Sequence, residues 1–147
     1  MARNPVIGML LSGEIKRGWT MADVRKGGCL CGAVRFEATA PLREVVVCHC
    51  GQCRKWHGAP PYYTAVELPR FRVTKGDQLA WFDSSPQAKR GFCKACGSSL
   101  FWQGAGRDYI SFTAGSLDGA THLKTARHIH VADKADFYDI ADRLPRS

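Results

Sequence analysis

The sequence predicts an all-β domain, or nearly so, built from many short strands joined by turns. Short segments alternate apolar and polar residues or are rich in β-branched and aromatic residues, a pattern typical of strands. Glycine, proline, aspartate and serine separate these segments at turns. No amphipathic stretch of about ten residues or more predicts a longer helix. The chain has 147 residues, enough for one ordinary domain with a buried core.

In chain order, we expect an N-terminal extension over residues 1–26 and a zinc-binding domain over residues 27–147. The extension shows no sustained period, so a flexible arm, a short extra strand and a true start at Met21 all stay open. The predicted strands of the domain cover 33–39, 44–47, 62–66, 71–73, 79–82, 89–92, 100–102, 109–113 and 127–132. Short helical turns are predicted within 52–57, 118–124 and 137–142.

Three cysteines, Cys48, Cys50 and Cys53, lie close together directly after a β-branched run. Thiols this close along a chain rarely pair as disulfides, because a bridge needs a specific separation and torsion. They suit zinc, whose bonds of about 2.3 Å to sulfur draw tetrahedral ligands together. Three protein ligands leave one coordination position open, which distinguishes catalytic from structural zinc. We therefore predict a catalytic zinc site whose fourth position takes water or substrate.

The other four cysteines form two close pairs, Cys29 with Cys31 and Cys93 with Cys96. Two such pairs predict one closed four-thiolate zinc site that joins distant parts of a domain. The total of seven cysteines is odd, which argues against a disulfide framework. Metal-free reduced cysteines and disulfides remain the alternatives. The sequence thus predicts two Zn²⁺ per chain.

The chain carries a formal net charge of +8 at neutral pH. Its basic residues form no long run, whereas nucleic-acid binders more often show a dense basic stripe. The charge is equally suited to attracting a small anionic substrate. No apolar run approaches the roughly 20 residues that a membrane span needs. We therefore expect a small-molecule substrate, no nucleic acid, no membrane and, because the thiols are unpaired, a cytoplasmic location.

Five segments resemble one known family in the same order and spacing. They are 28–36 (GCLCGAVRF), 48–54 (CHCGQCR), 92–100 (FCKACGSSL), 115–118 (GSLD) and 128–134 (HIHVADK). Together they closely resemble the glutathione-dependent formaldehyde-activating enzyme family, which also includes centromere protein V. The resemblance runs from about residue 27 to residue 144 and leaves out the N-terminal extension.

The resemblance implies a fold, a reaction and a role for each cysteine. The fold is a distorted zinc-binding β-sandwich shared with Rab-exchange-factor-like zinc chaperones and B-type methionine sulfoxide reductases. The reaction joins formaldehyde to glutathione and is classed as that of a carbon–sulfur lyase. The structural zinc ligands are Cys29, Cys31, Cys93 and Cys96, and the catalytic zinc ligands are Cys48, Cys50 and Cys53.

An open three-thiolate zinc is chemically suited to capturing a thiol. A free thiol with a pKa near 8.5 is mostly protonated at neutral pH, and zinc coordination deprotonates it. Of the neighbouring residues, His49 could hydrogen-bond a ligand sulfur, carry a proton or only pack. Arg54 could bind a substrate carboxylate or form a structural ion pair. His128 and His130 alternate on a predicted strand and could in principle reach a metal, although seven thiolates are already available.

Three classes of function follow from these residues. The first is an enzyme that adds glutathione or another thiol to formaldehyde or a related small electrophile. The second is a non-catalytic zinc-binding module of the same family. The third is a redox enzyme, which would need a free nucleophilic cysteine that the two predicted zinc sites do not leave. Family membership alone does not decide the substrate.

Overall fold

Two β-sheets and one short α-helix make up residues 23–147, the part of the chain that the computed structural model describes. The strands are β1 Val24–Gly28, β2 Arg35–Thr39, β3 Val45–Cys48, β4 Tyr62–Glu67, β5 Phe71–Lys75, β6 Leu79–Ser85, β7 Ala88–Cys93, β8 Ser99–Gly104, β9 Tyr109–Thr113 and β10 Thr125–Ile129. The helix, α1, spans Gly51–His57. Short 3-10 turns cover Leu68–Arg70, Ala114–Ser116 and Val131–Asp133.

The smaller sheet has the strand order β1-β2-β5, and the larger has the order β10-β3-β4-β9-β8-β7-β6. All strand pairs are antiparallel except β10 with β3, which run parallel at one edge of the larger sheet. Most consecutive strands of the larger sheet are hairpin neighbours, which short turns can join. Two parallel strands need a long connection. Here the chain between β3 and β10 includes α1 and the strands β4 to β9.

Aromatic side chains hold the two sheets together. Phe36 on β2 contacts Phe101 on β8 and Phe112 on β9, with ring centroids 5.2 and 5.1 Å apart. Phe71 on β5 contacts Phe101 at 5.3 Å. All three rings of the first group are almost fully buried. Because side chains alternate along a strand, the residues next to Phe101 and Phe112 face the other side of the larger sheet.

The predicted fold class is confirmed: the described chain is mainly β, with two sheets, one short helix and two cysteine clusters. The predicted turn at 52–57 is the helix α1. The helical turns predicted within 118–124 and 137–142 are wrong, because neither segment contains helical residues. Side-chain contacts to distant strands fix both segments instead, through Asp118 with Arg35 and through Tyr138 with His49.

Two boundaries differ from the sequence prediction. The last strand covers Thr125–Ile129 rather than 127–132, because the chain turns at His130, whose φ of 56° is left-handed. Strand β1 begins at Val24, so it includes the last residues of the predicted extension. Residues 1–22, with the alternative start at Met21, lie outside the described residues. The division of the chain at residue 27 stays a prediction.

Candidate active site

Four thiols meet where the smaller sheet touches the larger one. Cys29 and Cys31 lie in the turn between β1 and β2, while Cys93 ends β7 and Cys96 lies in the turn to β8. The four Sγ atoms all lie within 4.8 Å of one another. Cys31 Sγ is 3.6 Å from Cys29 Sγ and 3.8 Å from Cys93 Sγ. These separations fit one tetrahedral metal ion, whose ligands would then connect the two sheets.

Both cysteine pairs sit in turns of the same kind. Gly32 follows one pair and Gly97 the other, with φ angles of 78° and 79°. Only glycine adopts this left-handed conformation without steric cost, so each turn can bend its backbone around the sulfurs. The Val34 amide donates to Cys29 Sγ at 3.2 Å. The glycines and the sulfur spacing therefore shape each cysteine pair locally, and the contact between the two sheets brings the pairs together.

The second cluster joins the end of β3 to the start of α1. Cys48 is the last residue of β3, Cys50 caps the helix, and Cys53 lies in its first turns. Cys50 Sγ accepts a hydrogen bond from the Cys53 amide at 3.3 Å, as an N-cap side chain does. The three Sγ atoms all lie within 4.8 Å of one another. The capped helix thus brings together three thiols that a single metal ion could bind.

The thiols of this cluster differ in acidity. The hydrogen bond from the Cys48 thiol lowers the pKa of Cys53 to about 6, and the charge of Arg90 acts in the same direction. The same hydrogen bond and burial raise the pKa of Cys48. Arg90 Nη2 donates to Cys53 Sγ at 3.6 Å. Cys53 is therefore the thiol most readily deprotonated, which is the state that binds a metal.

A cavity of about 740 Å³ opens beside the three-cysteine cluster. Every strand of the larger sheet and the helix α1 contribute to its lining, including all three cysteines. Arg90, Trp102 and Ser111 lie side by side on β7, β8 and β9, in direct register. They occupy the face of the larger sheet opposite Phe101 and Phe112. The cavity is large enough for a small organic substrate.

His49 lies outside this cavity, in a chain of buried polar contacts. Its Nδ1 is 2.6 Å from the Tyr138 hydroxyl and its Nε2 is 2.8 Å from His128 Nδ1. His128 Nε2 is in turn 2.9 Å from an Asp142 carboxylate oxygen. Burial and the nearby His128 lower the pKa of His49. His49, directly after β3, therefore contacts the C-terminal segment through Nδ1 and β10 through Nε2. Its predicted catalytic role stays a prediction.

The structure separates the remaining predicted residues from the cavity lining, apart from His130. Arg54 is half-buried on α1 and is not among the residues that line the cavity. Its predicted contact with substrate stays a prediction. His130 is exposed at the cavity edge. Neither His128 nor His130 belongs to either cysteine cluster of the described residues.

The sequence interpretation missed the residues that line the cavity, above all Arg90. The side chain is only 3% exposed although it lies on a strand with basic neighbours. A charged residue on a strand usually faces solvent, so the pattern gave no reason to place it inside. Its position depends on the pairing of β7 with β8 and on the packing of α1. Tyr63, on β4, also lines the cavity and is buried.

Half-buried His57 makes the stability of the fold depend on pH. His57 Nε2 is 2.9 Å from the Tyr63 hydroxyl, and burial, aided by the charge of Arg90, lowers its pKa to about 4. The unfolded chain binds this proton near pH 6.5, so stability falls as pH drops from about 6.5 to about 4. We expect the unfolding free energy of the wild type to fall by about 1–2 kcal/mol more over this range than that of His57→Gln. The figure is smaller than the pKa shift alone would give, because His57 is partly exposed to solvent.

Urea unfolding at a series of pH values measures this difference directly. Glutamine keeps a hydrogen-bonding group for Tyr63 but cannot titrate, so protonation of the cysteine clusters cancels in the comparison. Parallel stability curves for the wild type and His57→Gln would contradict the prediction.

A family model provides the comparison that decides the relationship. The model of the glutathione-dependent formaldehyde-activating enzyme family matches residues 24–133, which include both cysteine clusters. The chain belongs to this family. The resemblance carried by the sequence motifs is therefore confirmed. The roles of the two clusters as structural and catalytic zinc sites stay predictions.

Individual relatives of this formaldehyde-activating family member are distant. The chain is 28% identical to an uncharacterized lyase of Schizosaccharomyces pombe over 120 residues. This alignment covers 80% of this chain and 86% of that protein. A crystal structure of a Rhodobacter sphaeroides protein matches with a TM-score of 0.53 and 27% identity, over 66% of this chain and 91% of that chain. Within residues 23–147, no helix has the length and apolar character needed to cross a membrane.

Proposed function

We propose that this protein is a zinc-dependent, carbon–sulfur lyase-like enzyme that adds glutathione or another thiol to formaldehyde or a related small electrophile. One observation carries the proposal: the three Sγ atoms of Cys48, Cys50 and Cys53 converge at the wall of the 740 Å³ cavity. The arrangement gives a small substrate access to the cysteine cluster. Family membership and a relative described as a lyase support the same reaction class.

The donor sets of both clusters fit zinc. Thiolates are the ligands that zinc shares with few other biological metals, and four of them make a closed tetrahedral site. Cys29, Cys31, Cys93 and Cys96 would hold one ion, while the three-cysteine cluster would hold a second. When bound, the second ion would coordinate an incoming thiol and stabilise its thiolate form. We propose two Zn²⁺ per chain, and a reducing, cytoplasmic location suits seven free thiols.

The proposed reaction needs little acid–base chemistry from the chain. The thiol sulfur bonds to the carbonyl carbon, the carbon–oxygen π bond breaks, and the thiol proton finishes on the new hydroxyl oxygen. Cys48, Cys50 and Cys53 hold the metal, and the sheet face around Trp102 and Ser111 keeps the reactants together. Confinement of two small reactants is itself a large source of rate enhancement.

Metal content and a spectroscopic probe test the proposal together. We expect two zinc ions in the purified reduced protein, and a cobalt-substituted second site whose absorption spectrum changes when glutathione is added. Loss of formaldehyde in the presence of glutathione, above the uncatalysed rate, then establishes turnover. Two metals with no response to glutathione and no turnover would instead favour a non-catalytic zinc-binding module. One metal or none would contradict the assignment of two zinc sites.

A further inference from the structure

Arg90 is a buried cation with hydrogen-bonding capacity to spare. Its side chain is 3% exposed, and its Nη1 has no hydrogen-bond partner among the described residues. Nη2 makes long contacts to Cys53 Sγ at 3.6 Å and to Gln52 Oε1 at 3.3 Å, and the guanidinium also interacts with the Tyr63 hydroxyl. An unpaired buried donor on a charged group is costly, so such a group usually faces a ligand or another charge. Arg90 lines the cavity beside the three-cysteine cluster.

The rest of the cavity carries charge of the same sign. Arg43 and Arg107 also line it, and none of the described lining residues is aspartate or glutamate. Arg43 Nε is buried and has no hydrogen-bond partner within residues 23–147, while its Nη2 makes a long contact of 3.4 Å to the Tyr63 carbonyl. Arg90 is buried, Arg43 is half-buried and Arg107 is exposed at the cavity edge, so together they give this wall of the cavity a positive potential. The cavity is therefore complementary to a negatively charged compound.

We propose that Arg90 binds, through Nη1, a carboxylate of the substrate that occupies the cavity beside the three-cysteine cluster. The inference rests on the proposed function, because it identifies the class of thiol that the same site takes. Since Arg90 Nη2 lies 3.6 Å from Cys53 Sγ, the carboxylate lies near the cysteines and belongs to the molecule that reacts there. Arg90 thus selects among thiols as well as bordering the metal ligands.

Two properties of arginine favour a carboxylate over other anions. The planar guanidinium offers parallel donors that match the two oxygens of a carboxylate. It also stays protonated in a buried site, where a lysine could lose its charge. The competing role is that Arg90 only offsets the negative charge of the three thiolates. That role uses Nη2 but gives no partner to Nη1, and it leaves the positive charge of Arg43 unexplained.

A matched pair of small thiols tests the inference by binding alone. Isothermal titration of the zinc-loaded full-length protein compares 3-mercaptopropionate with its neutral amide, 3-mercaptopropanamide. We expect the wild type to bind the carboxylate about 10–100-fold more tightly, since a charged hydrogen bond contributes on the order of 1.5–3 kcal/mol. Equal affinities, or no binding of either thiol, would overturn the inference.

Variants locate the carboxylate contact. Arg90→Gln is expected to bring the affinity for 3-mercaptopropionate down to that of the amide, with the amide affected less than about 3-fold. Arg72→Gln is the matched control, because it removes the same charge from a residue that does not line the cavity. Arg72 is exposed on the smaller sheet, where it pairs with Glu37. If Arg90→Gln does not fold, Arg90→Lys is the second variant, because it keeps the charge but lacks the parallel donors of the guanidinium. It should weaken the binding of 3-mercaptopropionate more than that of the amide. Equal losses for both thiols would assign Arg90 to Cys53 alone and overturn the proposal.

Two further measurements separate this inference from neighbouring ones. Inorganic phosphate that competes with 3-mercaptopropionate more strongly than acetate does, at equal ionic strength, would overturn the carboxylate assignment. Formaldehyde turnover is assayed separately: turnover without carboxylate selectivity overturns this inference alone. Carboxylate selectivity without turnover overturns the proposed function and supports the anion site.

Discussion

Replacing Cys93 by serine is expected to unfold the protein or to remove most of its stability. Cys93 is fully buried, and its Sγ lies 3.8 Å from Cys31 Sγ in the four-cysteine cluster. A structural zinc supplies roughly 10–16 kcal/mol of binding free energy coupled to folding. Ordinary domains are stable by only about 5–15 kcal/mol in total. Loss of one of four ligands would therefore exceed what the aromatic core can offset.

The position of the cluster strengthens this expectation. It joins the turn after β1, in the smaller sheet, to the turn after β7, in the larger one. The rings around Phe36 also join the two sheets. Breaking the cluster would release one end of the smaller sheet from the larger. Fraying of β1 and β2 should then accompany the loss of metal.

Circular dichroism during urea unfolding, with zinc content measured on the same samples, tests the prediction. Cys31→Ser is the matched control, because Cys31 belongs to the same cluster but is exposed. If the metal is responsible, both variants lose one zinc and are destabilised alike. If Cys93→Ser alone is destabilised, the cost comes from burying a hydroxyl, and the metal assignment is wrong. A folded Cys93→Ser protein with full zinc content would contradict it outright.

The cysteine clusters could be predicted from the sequence because their geometry is local. Each pair in the four-cysteine cluster is followed by a glycine, Gly32 or Gly97, and the positive φ of both residues is the conformation that glycine favours. The three-cysteine motif lies within one strand end and one capped helix. Spacing along the chain therefore fixes most of the distances between sulfurs. Only the meeting of Cys29 and Cys31 with Cys93 and Cys96 depends on the fold.

The cavity could not be predicted, because its lining depends on pairings between distant strands. Arg90 lies next to Trp102, and Trp102 next to Ser111, only once β7, β8 and β9 are in register. A shift of one residue would turn all three side chains into the core. The parallel pairing of β10 with β3 has the same long-range character. A single sequence contains no measure of such registers, so Arg90 looked like an ordinary surface charge.

The contacts of His49 show the same limit at closer range. Proximity in sequence placed it between two predicted ligands, with a choice of roles. The side chain instead contacts Tyr138 and His128, which follow it far along the chain. His49 directly follows Cys48 at the end of β3, where neighbouring side chains point to opposite sides. Adjacency to a metal ligand is therefore weak evidence for chemistry, and the catalytic role of His49 stays a prediction.

Replacing Cys53 by serine is expected to leave the fold in place and to abolish the proposed activity. Cys53 belongs to the three-cysteine cluster, which connects β3 of the larger sheet with the helix α1 and does not join the two sheets. The four-cysteine cluster and the aromatic core are untouched by the change. Removing a residue that only hydrogen-bonds a metal ligand costs about 10–100-fold in metal affinity or activity. Removing the ligand itself should therefore lower the activity at least about 100-fold. The variant should bind one zinc instead of two.

The contrast between the two cluster variants is what distinguishes catalytic from structural zinc. Thermal unfolding of Cys53→Ser should stay within a few degrees of the wild type, while thiol addition to formaldehyde falls to the uncatalysed rate. Lys55→Ser, an exposed change on the same helix, controls for any general effect on α1 and should keep both zinc ions and full turnover. Unchanged turnover in Cys53→Ser would place the reaction elsewhere. Unfolding of Cys53→Ser would make this cluster structural as well, and the open metal site could then no longer be assigned from the ligand count alone.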